Sequence, residues 1–295
     1  MSEIVFPSPF NPSYRYVTGG DFVPKATKIP SMGNLYRYAN EQSVVDVNVD
    51  TSNLKTAYSC FQWATKIVGI SDFDTSNVTN MESMFYGCNK LLSIPQLDTS
   101  NVTTMYQMFY NCYELSVIPM LNTSKVTNMG YMFDGCKNLI TIPELDFSNV
   151  TNVNYMLNNC NSLRELPNMN MKKVTSLSGF LYSTSISKIG VIDCDSLTNI
   201  QWLNSSYTFT SLTDLGGFRN LGAKSSLSGT NGNYFLFNCP NLTRQSLLNV
   251  FNLLYDRATA GYSVITIKLT KAQNALLSDD DIAIATNKGW TITAA

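Results

Sequence analysis

The chain has 295 residues, 44% of them hydrophobic and 14% charged, and its 20 Lys and Arg are balanced by 21 Asp and Glu. That balance leaves no basic stripe to meet a phosphate backbone, so nucleic acid is not an expected partner; no apolar run is long enough to span a bilayer, so membrane insertion is not expected either. There is no histidine, which removes the commonest general base, the commonest metal ligand and every histidine-based triad, so neither an enzyme nor a cofactor is expected.

In chain order, residues 1–49 hold five prolines, several aromatic residues and no repeat, and end in the alternating "SVVDVNVD". They read as an N-terminal docking arm followed by a capping strand, or as an irregular N-terminal cap. The start "MSEIVFPSPFNPSYRYVTGG" lacks the basic opening and apolar core of a secretory signal.

From Asp50 the chain repeats. Aligned on one apolar position, the copies fall at Leu54, Val78, Val102, Val126, Val150 and Val174, a constant spacing of 24. In the second copy the apolar positions that follow Val78 are Met81, Met84, Phe85, Cys88, Leu91, Ile94 and Leu97. A spacing of mostly three is neither a strand nor a long helix, so each copy must turn several times. "MESMFYGC" suits one helical or 3₁₀ turn, and "LLSIPQL" is extended and carries a proline that a helix interior rejects. One copy cannot bury enough surface to offset the entropy of ordering it, so the copies must stack. The expected fold class is a mixed α/β repeat solenoid of 24-residue coils over residues 50–243, each coil a short strand plus a helical or 3₁₀ turn.

Residues 244–295 should close the stack. "TRQSLLNVFNLLYD" has helical spacing, "YSVITIKL" alternates as a strand, and "SDDDIAIATNKGWTIT" offers a helix N-cap at Ser278, acidic residues in the first turn, a stop at Gly289 and a final strand. The expectation is a small strand–helix–strand C-terminal cap.

Four positions precede the repeated cysteine: Gly87, Asn111, Gly135 and Asn159. Gly and Asn tolerate the left-handed backbone region, so these are expected structural turn residues. Of the seven cysteines, Cys88, Cys112, Cys136 and Cys160 share one register among apolar neighbours; they are expected to fill the core as free thiols, and no metal site is expected. Asp50, Asp74, Asp98 and Asp146, interchanging with Asn122 and Asn170, fit side-chain to backbone bonds at the coil corners better than calcium ligands. The variable outward positions carry Tyr86, Tyr106, Tyr110, Tyr131, Tyr155 and Tyr182, polar-tipped aromatics on a rigid frame, and these are the candidate ligand-binding residues.

The frame F-x-x-C-x-x-L-x-x-I-P, read in "FYGCNKLLSIP" and "FDGCKNLITIP", resembles the BspA-like class of leucine-rich repeat. The "DTSNVTNMxxMF" half is similar to a repeat of bacterial surface proteins and phage-encoded proteins. The resemblance implies a leucine-rich-repeat-like stack and non-enzymatic binding of a protein or glycan on a bacterial surface, or of other virion subunits. With the arm and the absent signal, it implies a virion fibre or decoration protein, located on a virion or extracellular surface. The alternatives are a bacterial surface adhesin or effector, and a cytoplasmic location; a homo-oligomer is left open.

Overall fold

The computed structural model describes residues 29–39, 43–47, 50–198, 209–224, 236 and 238–294. They form a β-solenoid of about nine turns with few helices. Its strands are β1 (Val44–Val45), β2 (Gly69–Ile70), β3 (Glu165–Leu166), β4 (Met169–Asn170), β5 (Lys188–Asp193) and β6 (Asp214–Arg219). Helix α1 (Arg244–Leu253), β7 (Ile265–Leu269), the short α2 (Lys271–Asn274), α3 (Asp279–Thr286) and β8 (Trp290–Ala294) follow.

Stacking begins before Asp50. Residues 29–39 and 43–47 join the stack: Ser31 bridges Thr56, β1 pairs in parallel with β2, and Met32, Tyr36, Val45 and Val47 enter the core. Of the expected arm and cap, residues 1–49, positions 1–28, 40–42 and 48–49 lie outside the described residues.

Coil corners keep the i→i−3 bonds of the expected helical or 3₁₀ turn at every second residue only. In "MESMFYGC" the N–H groups of Met81, Ser83, Phe85 and Gly87 donate to Thr104, Tyr106, Met108 and Tyr110 of the next coil. Those of Met84, Tyr86 and Cys88 donate to the carbonyls three residues back. Successive reverse turns therefore replace a helix, which would keep every donor for itself. The alternation places two residues per corner at positive φ. One is the expected position, with Gly87, Asn111, Gly135 and Asn159 at φ 74°, 59°, 79° and 57°. The other lies four residues earlier, at Ser83, Gln107, Tyr131 and Tyr155.

Nor does each regular coil carry a strand. From Asn80 to Asn152 the coils meet as single parallel bridges at one position per coil. Prolines 95, 119 and 143 remove a donor from each extended segment, which prevents a ladder there. Where proline is absent, in β5 and β6, five residue pairs register in parallel. Pro167 lies between β3 and β4, which pair separately with β5, and Asn168 Oδ1 accepts the Val191 N–H at 2.7 Å in the gap.

The interior is a set of ladders. Phe61, Phe85, Phe109 and Phe133 stack with centroids 5.4–5.5 Å apart and planes within 12°, Tyr36 continues the column from Phe61 at 5.2 Å, and Leu157 takes the next place. Cys88, Cys112, Cys136 and Cys160 donate through Sγ to the carbonyls of Phe61, Phe85, Phe109 and Phe133 in the preceding coil, at 3.0–3.1 Å. All seven thiols are free and buried, and burial pushes each above its ordinary value, Cys239 to about 12. At the opening corner, Asp74, Asp98, Asn122 and Asp146 accept the N–H of the serine two residues on at 2.8–3.1 Å. Buried Thr123 closes two backbone groups at once: its Oγ1 accepts from Asp146 N at 2.7 Å and donates to Asp146 O at 3.0 Å.

The C-terminal part seals the stack. β7 and β8 pair in parallel around α3. Ser278 and Asp281 form a capping box, Asp281 takes two bonds from Arg244, and Gly289 has φ 77°. Buried Gln273 donates to the carbonyls of Leu236 and Cys239, tying the cap to the last coil.

Three substitutions probe these ladders. Phe109→Ala should lower stability by about 3–5 kcal/mol, whereas Phe133→Leu, which moves the Phe-to-Leu change one coil earlier, should cost about 1 kcal/mol; chemical denaturation reads both. Thr123→Val keeps the shape but strands both backbone groups of Asp146, and should cost about 1–3 kcal/mol in the same measurement.

Candidate functional site: a tyrosine-lined lateral face

Residues at one register of successive coils lie side by side, so outward tyrosines become neighbours. Five of the six candidates join one network. Tyr86 stacks on Tyr110 with centroids 4.5 Å apart. Tyr131 stacks on Tyr155 at 5.0 Å, and Tyr106 meets the Tyr131 ring edge-on at 5.8 Å. Tyr110 and Tyr131, 6.3 Å apart and tilted by 51°, link the two stacks. Tyr182 ends the column that begins at Tyr86 and is 39% exposed.

Small residues make room for the rings. A Cβ at Gly130 would come within 3.2 Å of the Tyr106 ring, and one at Gly179 within 2.3 Å of the Tyr155 ring. Gly87 lies equally close under Trp63, and Trp63 meets Tyr86 edge-on at 5.1 Å. Trp63 was not among the sequence candidates. Its signal was an exception to a rule: it occupies, at φ 61°, the register that Gly or Asn fills in the following coils.

A second residue outside the candidate set lies at the centre of the face. Asp134 takes the place in the column after Tyr86 and Tyr110, and only 5% of it is exposed. Its carboxylate accepts from Asn158 Nδ2 at 3.0 and 3.1 Å and from Asn159 Nδ2 at 3.4 Å. Burial raises its pKa above the ordinary 3.8, and the two amides pull it partly back. Burial, and then the Asp134 charge, raise the Tyr110 hydroxyl; Tyr86 follows the same order, and Tyr131 feels Tyr106, Tyr155 and Asp134 after burial. Cys136 and Cys160, which also feel Asp134, are buried thiols held neutral.

Among the described residues no three His, Cys, Asp or Glu side chains gather as a metal-binding group, and no helix is long and apolar enough to cross a membrane. The corner carboxylates line a separate groove of about 660 Å³ with Phe73, Gln96 and Met120, where Asp74 and Asp98 are engaged by serine N–H groups.

A stack of short coils with a closed apolar interior and an aromatic outer face defines a repeat-solenoid protein whose variable chemistry lies outside the core. The chain belongs to the family described as "Mycoplasma protein of unknown function, DUF285", which matches residues 30–117 and 89–193, together more than half of its length. No curated protein matches it.

The raised pKa of Asp134 has a consequence for stability. Its folded form binds a proton more readily than the unfolded chain, so the folded state loses stability as pH rises from the ordinary aspartate value through the folded one. Asp134→Asn should therefore melt higher than the native protein at pH 7, and the difference should shrink on acidification towards pH 3, as read by thermal unfolding across a pH series.

Proposed function

We propose that this protein is a non-enzymatic recognition solenoid that holds a protein or glycan partner against its tyrosine-lined lateral face. The observation that carries the reading is the continuity of the ring network from Trp63 to Tyr155. Tyrosine offers a large contact area with few rotatable bonds and a polar tip, and a stacked ring starts with most of its freedom already lost, so little more is lost on binding. Such a face has no need of a nucleophile or a general base.

In finer detail we read the coils as 24-residue, BspA-like leucine-rich repeats, with residues 1–49, 50–243 and 244–295 as arm and cap, solenoid, and closing cap. Membership of DUF285 supports the repeat type. The frame's likeness to repeats of phage-encoded and bacterial surface proteins supports a virion fibre or decoration protein, with a bacterial surface adhesin or effector as the second reading. In either setting the partner is a molecule of a bacterial surface or another subunit of the assembly.

The test is capture from bacterial envelope extract by the full chain and by a Tyr106→Ala, Tyr131→Ala double variant. Anchoring aromatic residues contribute about 2 kcal/mol or more when truncated, so the variant should bind its partner at least tenfold more weakly while its melting curve stays cooperative. Capture undiminished in the variant would move recognition away from this face.

A further inference from the structure

The column that begins with two stacked rings breaks at Asp134. Tyr86 covers one face of Tyr110; on the other side the next two coils offer Asp134 and Asn158 instead of a third ring, before Tyr182 resumes the aromatic series. With coils about 4.8 Å apart, the step between Tyr110 and Tyr182 is roughly 14 Å long. The Tyr131 and Tyr155 stack stands beside it, and Asp134 with Asn158 forms its floor.

The floor carries an unbalanced charge. Buried carboxylates are ordinarily paired with a cation. Among the described residues the ion pairs are Lys90–Glu114, Lys188–Asp214, Arg219–Asp193 and Arg244–Asp281, and none includes Asp134. Lys137, three residues on, places its Nζ over the Tyr113 ring, 4.5 Å from the centroid. Two amides hold the carboxylate, and the tyrosines and thiols that feel its charge stay neutral at pH 7. Asn158 adds a second acceptor, since its Oδ1 is buried without a hydrogen-bond partner.

Open tyrosine faces attract cations through the ring quadrupole, and a desolvated carboxylate attracts them more strongly. An anionic ligand would be repelled, and a neutral sugar would leave the charge unmet. Because the carboxylate is recessed, the cation must arrive on a long, narrow stem.

We propose that the step between Tyr110 and Tyr182 is a binding site for a cationic side chain, an arginine or lysine of a basic peptide segment in the partner. This rests on the reading of the tyrosine face as the recognition surface and names the chemistry it selects. Guanidinium fits both features, with N–H donors for Asp134 and Asn158 and a flat face for Tyr110.

The test uses the full chain and a six-residue peptide alternating glycine and arginine, against its citrulline twin, which has the same shape without the charge. Isothermal titration should give at least tenfold tighter binding of the arginine peptide, and Asp134→Asn should abolish that preference while retaining a cooperative melt. The citrulline comparison needs no variant, so it stands even if Asp134→Asn misfolds. Equal binding of the two peptides, or no binding of the arginine peptide to the native protein, overturns the proposal. So does Asp134-dependent binding of a glucosamine oligomer with no binding of the peptide, which would assign the cation to a sugar. None of these results touches the broader reading, which falls only if the tyrosine double variant still captures its envelope partner.

Discussion

Everything in this fold depends on how the corner of each coil divides its backbone donors. Every second N–H leaves the coil for the carbonyl row of the next, and those between close turns at home. A helix would satisfy the same groups internally and leave nothing to bind the neighbouring coil. The division costs conformational freedom, since two residues per corner must enter the left-handed region, at roughly 1–2 kcal/mol for each that is not glycine. In return, coils are locked in register, and any residue type kept at one offset becomes a column. The phenylalanine stack, the thiol-to-carbonyl bonds and the threonine clamps all follow from that registration.

The registration also explains what was legible. The apolar offsets read from "NVTNMESMFYGCNKLLSIPQL" are the buried positions, because a period sustained without slippage admits only one inward face. The turn residues before the cysteines were legible because Gly and Asn mark the left-handed region by their chemistry. The second left-handed position was not, since Ser83, Gln107, Tyr131 and Tyr155 carry no such mark and are forced into it by the inter-coil bonds. Positive φ at Tyr131 and Tyr155 is therefore a property of the repeat, shared with Ser83 and Gln107 in the preceding corners. The coil around Met32 escaped because its motif letters had drifted to "SMGNLYRYA", although Met32 and Tyr36 keep their inward places.

The outer face was legible as a list of tyrosines but not as a surface. Columns can be read from the repeat; which ring leans on which depends on glycines in the adjacent coil, as with Gly130 under Tyr106 and Gly179 under Tyr155. Residues that break a column were hardest to value. Trp63 looks like a misfit at a Gly or Asn register until its ring is seen lying over Gly87.

Asp134 poses the sharper question, and the neighbouring coil supplies the comparison. One coil further on, the same register holds Asn158, which has the same shape and no charge. A side chain needed only to accept amide bonds or to fill the gap after Tyr110 would do so as asparagine, without the desolvation penalty that a carboxylate carries. The charge at Asp134 therefore opposes stability where a neutral isostere is tolerated next door. On the proposed reading, this charge is accounted for by what it attracts, and an attracted cation would return the lost solvation as binding free energy. On the proposed reading the interior of the solenoid is built by repetition, and its recognition by a place where repetition fails.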